Sequence, residues 1–306
     1  MSSPSVLRPV GMALETVRRV LFQPFQFVKW LAIGFTAWLA MLDDGLGFGF
    51  NFHPGQFNKE QASQCAHVAR DWFLAHLFLV IPLVIVAVTA GLAVWLVVTW
   101  LGCRGKFMFL DNVVGNRAEI IQPWRKFRAP GNSCFLFSIC FDLAAAAVLL
   151  LGVGLALLVS WPDLARTHFG WHAAGAIGFG VVFMFCFIMT AAVIRVFFED
   201  FVIPVMAMRT CRVMEGWKTF FDLFKHHAGI FILYLLFKAV ILMAVGFITV
   251  FLCCLLCCTV LIPYVGVVIL LPVYVFLRSY SVHFLGQFGK TLKMFENNGA
   301  SYIVLS

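Results

Sequence analysis

Residues 195–238 read RVFFEDFVIPVMAMRTCRVMEGWKTFFDLFKHHAGIFILYLLFK, and how this stretch is read decides the fold. It leaves one apolar run, crosses a polar and partly amphipathic connector, and enters a second apolar run that carries Lys238. Within the connector, Val213, Trp217, Phe220, Phe221 and Phe224 recur at helical spacing. Arg212, Glu215, Lys218, Asp222 and Lys225 fall on the other side. The spacing predicts a cytoplasmic interfacial helix over 205–227, with its aromatic face in lipid and Trp217, Phe220 and Phe224 as anchors. His226 and His227 precede Gly229, so cations in a last turn followed by glycine predict a helix end there.

The rest of the chain supports a membrane setting. Its 306 residues are 62% hydrophobic and only 12% charged, with a mean hydropathy of +0.97. Soluble domains carry about 25% charged residues, so a chain this apolar could not cover itself against water. The reading is a single all-α integral membrane domain over 1–306. It has about six spans, near 25–42, 72–101, 134–160, 173–198, 229–258 and 264–285, arranged as three hairpins joined by cytoplasmic interfacial helices. Residues 9–22 place Ala13, Val17 and Leu21 on one stripe, which predicts a first helix lying on the membrane surface. Pro123 and Pro130 forbid one unbroken helix through 103–133.

Charge order sets the expected orientation. With the N-terminus inside, the inner segments hold 18 Lys or Arg and the outer loops hold three. The positive-inside rule then places both termini in the cytoplasm, in the inner membrane of a bacterium. The net charge of +8 is spread along this one face, which suits anionic lipid headgroups rather than nucleic acid. Membrane lipids are the expected partners, with a membrane protein or a second copy of the chain as further ones. Nine of the ten cysteines fall in apolar or inner segments, so no disulfide framework is expected, and residues 1–29 show no cleaved signal peptide. Cys65 is the outer exception. A bridge from it to Cys257 or Cys258 has no support in the sequence, and the CCLLCC run at 253–258 reads as packing.

Four further patterns stand out. Trp124-Arg-Lys-Phe127 and Trp217-Lys-Thr-Phe220 each occur shortly before a span. Either a threefold hairpin repeat or shared interfacial composition would produce them, with Trp124 and Trp217 as anchors. Asp142 and Lys238 each lie about nine residues into a span from the same face, a depth of about 13 Å. Charges inside spans are costly and usually paired, so an Asp142–Lys238 ion pair between the third and fifth spans is predicted. Glu199 and Asp200, beside Arg195, read as local charge compensation. Gly152 with Ala156, and Gly170, Ala174 and Gly178, predict close helix approach.

The run from Asp200 to Leu236, with FMFLDNVVGNRAEIIQPWRKF at 107–127, resembles a group of uncharacterised multi-pass bacterial membrane proteins. These are similar to the membrane domain attached to some glycerophosphodiester phosphodiesterases. The matching features are Ile203-Pro204-Val205, the helix with Trp217, and the turn with Gly229. The resemblance implies a membrane module of unassigned function. The catalytic domain of those enzymes has no counterpart here, since no barrel-sized polar region or acidic metal-binding run is present. GxSxG, HExxH, Walker A and dinucleotide signatures are missing too. A non-enzymatic module without a cofactor, organising lipid or binding a partner, is therefore expected. Transport of a small solute or ion through Asp142 and Lys238 is the alternative, followed by a lipid-headgroup enzyme around His226.

Overall fold

The computed structural model describes residues 4–42, 76–165, 170–255, 262–289 and 292–295. Every regular element among them is helical. The first outer loop with its Gly47–Phe50 alternation, Cys65, Cys257, Cys258 and the last residues lie outside the described residues.

Helix α1 (Arg8–Val17) runs on through a π-helical turn (Arg18–Phe22) and is followed by α2 (Phe27–Met41). Helix α3 is Leu77–Gly115, α4 is Ile121–Lys126 and α5 is Arg128–Ala165. Helix α6 (Trp171–Phe197) passes through a π-helical turn (Phe198–Val202) into α7 (Ile203–Arg209). Helix α8 is Val213–Leu255, followed by α9 (Pro263–Ile269), α10 (Leu271–Leu285) and a 3-10 turn (Gly286–Phe288).

Among the described residues, four helical stretches are long and apolar enough to cross a membrane: Phe78–Gly115, Arg128–Trp161, Gly175–Arg209 and Val213–Leu255. The chain is thus an integral membrane protein by length and composition. Helix α3 alone, at 39 residues, extends about 58 Å, while the hydrocarbon layer is about 30 Å thick. Each long helix therefore has a span-length apolar arm and an extension beyond it. The first expected span is the 15-residue α2. The sixth is divided at Leu270 into α9 and α10, with Pro272 in the first turn of α10.

The core lies in the extensions. Residues 102–114 of α3 are buried on every side, as are most of 198–207 and 279–285. Phe201 sits at the centre, packed against Phe220, Phe231, Tyr234 and Phe284 at centroid distances of 4.9–5.9 Å. Gly105 allows α2 to cross α3 closely, since a Cβ there would lie 2.5 Å from the backbone of Leu39 and Ala40. In the arms, Gly152 meets the Phe183 ring, whereas a Cβ at Gly178 would meet nothing within 4 Å. Close approach through small residues thus holds at Gly152 and not at Gly178.

Two sequence expectations are corrected here, and a third is met. The stripe of α1 is buried, but against protein rather than lipid. Ser5 and Gln287 exchange hydrogen bonds of 2.7 and 2.9 Å, Tyr280 donates to the Val6 carbonyl, and Thr16 lies 3.0 Å from His283 Nε2. Helix α1 and the residues before it are thereby fastened to α10 and the turn that follows it. Second, the connector 205–227 is not one interfacial helix. It breaks at Thr210, which adopts a left-handed φ of 47°, and restarts at Val213, whose N–H donates to Ser133 Oγ. The helix end expected at His226–Gly229 is present as a break: two helical segments of α8 meet at His227, whose backbone is non-helical (φ −138°, ψ 30°).

The two Trp-containing connectors share more than composition. Each follows a helix ended by a non-glycine residue in the left-handed region, Asn116 (φ 50°) and Thr210 (φ 47°). In each, the phenylalanine three residues after the tryptophan is buried on a phenylalanine of the preceding helical stretch. Phe127 stacks on Phe107 and Phe220 on Phe201, both at 5.6 Å. Phe107 and Phe201 each stand nine residues before the left-handed residue, so the register agrees as well.

Candidate functional site

The site forms where the wide turn Phe198–Val202 meets α3, α8 and α10. Its cause is local. Pro204 lacks an N–H, and in a regular helix its ring would press on the carbonyl four residues back, that of Asp200. The helix widens instead, and the Ile203 N–H bonds the Phe198 carbonyl, five residues back. Such π-bulges often occur at functional sites. Here the widened turn presents two adjacent carboxylates to two different helices.

Glu199 accepts from Lys106 of α3, with Nζ 2.6 Å from Oε1. Asp200 is buried and accepts on Oδ2 from Lys238 and from the Tyr234 hydroxyl (2.8 Å), both on α8. Arg278 of α10 ties the turn to α3, since Nη1 donates to the Glu199 carbonyl (2.7 Å) and Nη2 to the Lys106 carbonyl (3.3 Å). Tyr234 stacks on Tyr280 at 5.4 Å. Four stretches of chain are thus joined by charge-assisted bonds, which are the stronger kind.

These groups line a cavity of about 330 Å³, within the range of about 300–1,000 Å³ seen for small-molecule pockets. Lys106, Lys238, Arg278, Glu199 and Asp200 are its charged members. Helix α2 contributes only apolar ones, Ala37, Ala40 and Met41. A second cavity of about 30 Å³, room for a water or two, lies against Ser138, Asp142 and Arg195 and is also lined by Lys106 and Glu199. The Lys106–Glu199 pair therefore borders both cavities.

The predicted Asp142–Lys238 pair is not formed. Asp142 accepts from Arg195 at 2.8 Å and Lys238 is taken by Asp200. Equal depth was the argument for the pair, but facing direction decides contact. Asp142 of α5 faces the neighbouring α6, and the π-turn brings Asp200 to α8 instead. Glu199 and Asp200 are accordingly bridges between helices. The expected lipid anchors are also relocated. Phe220 is buried, and Trp217 and Phe224 are half-buried among Phe137, Phe197, Phe198 and Phe231. Trp124 packs edge-on against Trp100, with the Arg104 guanidinium over both rings. Aromatic stripes at helical spacing look alike whether protein or lipid covers them. Lys106 and Arg278 were counted in the sequence only as topology charges. A usable signal for Asp200 is its place four residues before Pro204.

The model of a family of unknown function (DUF7544) matches residues 5–273. The chain belongs to that family. The matched region contains Lys106, Glu199, Asp200 and Lys238 and ends in the first turn of α10, before Arg278. No curated protein and no solved structure matches the chain.

Proposed function

We propose that this protein is a non-enzymatic integral membrane module that holds a membrane amphiphile in the cavity between α2, α3, the π-turn, α8 and α10. The carrying observation is the division of that cavity's lining. The π-turn supplies carboxylates, α3, α8 and α10 supply cations, and α2 supplies only apolar groups. Such a lining suits a ligand with a polar head and an apolar tail. The 18-to-three distribution of Lys and Arg supports both termini in the cytoplasm and a bacterial inner membrane. In a six-span reading, α2 and the α9–α10 pair complete the crossing. The likeness to membrane domains attached to some glycerophosphodiester phosphodiesterases then concerns the membrane module alone. Purification of the full chain in mild detergent, followed by native mass spectrometry, tests this proposal. Retained lipid that is lost on Ala40→Trp, which fills the apolar side, is the expected outcome. A lipid-free protein, or retention unaffected by that change, overturns the reading.

Transport of a small solute or ion is a second reading, favoured by one observation. Asp142 lines the small cavity, Lys238 lines the large one, and the Lys106–Glu199 pair borders both. Parting that pair would join them. Flux in proteoliposomes that falls on Asp142→Asn supports this reading, and the absence of flux with retained lipid returns the choice to the first.

A further inference from the structure

We propose that the cluster of Trp100, Arg104 and Trp124, where α3, α4 and α5 meet, binds the phosphate of an anionic phospholipid. This site is separate from the cavity of the π-turn. Arg104 stands two residues before Lys106, and at about 100° per residue it points about 200° away from it around α3. Neither Arg104 nor either tryptophan lines that cavity.

The carrying observation is a buried cation without a carboxylate. Arg104 is only 7% exposed. Its stem passes Gly131 of α5, where a Cβ would lie 3.1 Å from Arg104 Cγ. Its guanidinium carbon stands 4.4 Å from the Trp100 ring centroid and 4.6 Å from that of Trp124. Nη2 donates to Asn132 Oδ1 (3.2 Å), an oxygen that also accepts from Trp100 Nε1 (3.3 Å). Nε is buried and meets no acceptor. A guanidinium has five N–H donors, so one shared amide oxygen leaves most of them to spare. The charge that bears on Arg104 is a second cation, Arg128, at the start of α5. Among the described residues no carboxylate pairs with either arginine, and nearby Asp111 is already shared by Arg117 and Lys126. The indole faces offset part of the cost of burying the charge. An anion accepting from both arginines offsets the rest, and phosphate oxygens match the guanidinium fork two at a time.

The surroundings indicate which phosphate. Trp100 and Trp124 are half-buried, as suits indoles at headgroup level. About one turn beyond the site on each helix, Val97 of α3 and Leu136 of α5 are exposed and apolar. A headgroup phosphate on Arg104 lays its acyl chains along them, which a free phosphate cannot do. Basic pockets between spans hold anionic headgroups in this way. Arg128 disfavours the ammonium of a zwitterionic headgroup.

The full chain, purified in mild detergent and delipidated, is titrated with phosphatidylglycerol or phosphatidylcholine, and bound lipid is counted by native mass spectrometry. Phosphatidylglycerol is expected to bind about tenfold more tightly, and Arg104→Gln to abolish that preference. Arg104→Lys keeps the charge without the fork and recovers only part of it. Arg128→Gln, at an exposed position, weakens the preference and carries the test if Arg104→Gln does not fold, which thermal unfolding reports. Arg212→Gln removes an exposed cation from the other Trp connector and leaves the preference unchanged. A preference that survives both Arg104→Gln and Arg128→Gln, or that falls equally with Arg212→Gln, overturns the site. Displacement of the lipid by millimolar inorganic phosphate overturns the assignment to lipid. Equal binding of the two lipids by the unaltered chain overturns the proposal outright, and the cavity reading stands or falls separately on Ala40→Trp.

Discussion

Phe201 and Phe247 are both phenylalanines on helices that continue through a span, yet the first is 0% exposed and the second 78%. The difference holds for the two regions they represent. In three of the four long helices, no residue of the most apolar 18-residue window is buried by the protein. The extensions of those same helices form a dense aromatic core around a charged turn. The lesson concerns driving force. Lipid tails solvate apolar side chains as well as protein does, so the arms gain little by touching one another. In the extensions, apolar burial and charge pairing hold the helices together, and tertiary structure concentrates there.

Alanine in place of each phenylalanine is the sharpest way to break this comparison. Phe201→Ala is expected to cost about 3–5 kcal/mol, as for other buried aromatics, and Phe247→Ala within about 0.5 kcal/mol. Similar unfolding midpoints for both in detergent would show that the arms are also packed. Next is Asp200→Asn, which leaves the Lys238 ammonium without its carboxylate and is expected to cost about 3 kcal/mol. Pairing it with Lys238→Met should recover most of that, and a fully additive double variant would argue against the bridge. Third come the glycines. Gly105→Ala forces backbone apart in the core and is expected to cost about 1–3 kcal/mol. Gly152→Ala meets the Phe183 ring, which can swing, and Gly246→Ala meets nothing within 4 Å. The order of unfolding midpoints should follow, with Gly105→Ala lowest.

The smallest effect sits at the border of the core. Burial, with Glu215 nearby, raises the Cys211 thiol above its usual pKa. The thiolate is the reactive form, so Cys211 is expected to react with a water-soluble maleimide more slowly than a free thiol at pH 7.5. Because the pKa is raised, the gap should narrow as pH climbs. Equal rates at pH 7.5 would show that the Thr210–Arg212 connector stands open to water.

Comparison of the two Trp connectors shows where a sequence likeness gained meaning. Trp124–Phe127 and Trp217–Phe220 could be matched from letters alone, but not the left-handed residues Asn116 and Thr210 before them. With those fixed, Lys106 and Asp200 both stand ten residues upstream. Opposite charges thus occupy corresponding positions in two similar units and meet at one cavity.

Composition and hydropathy were enough to determine a helical membrane chain and the approximate place of its apolar runs. These properties are sums over many residues, and local chemistry decides them. The same information misassigned the partners of Asp142 and Lys238, the covering of Trp217, Phe220 and Phe224, and the surface that buries α1. Only the tertiary structure decided those, because depth and periodicity say how far along a helix a side chain stands and which face it shares. They do not say what lies opposite. One proline, Pro204, widens one turn and brings Asp200 to Lys238, and that rotation governs where the charged cavity forms.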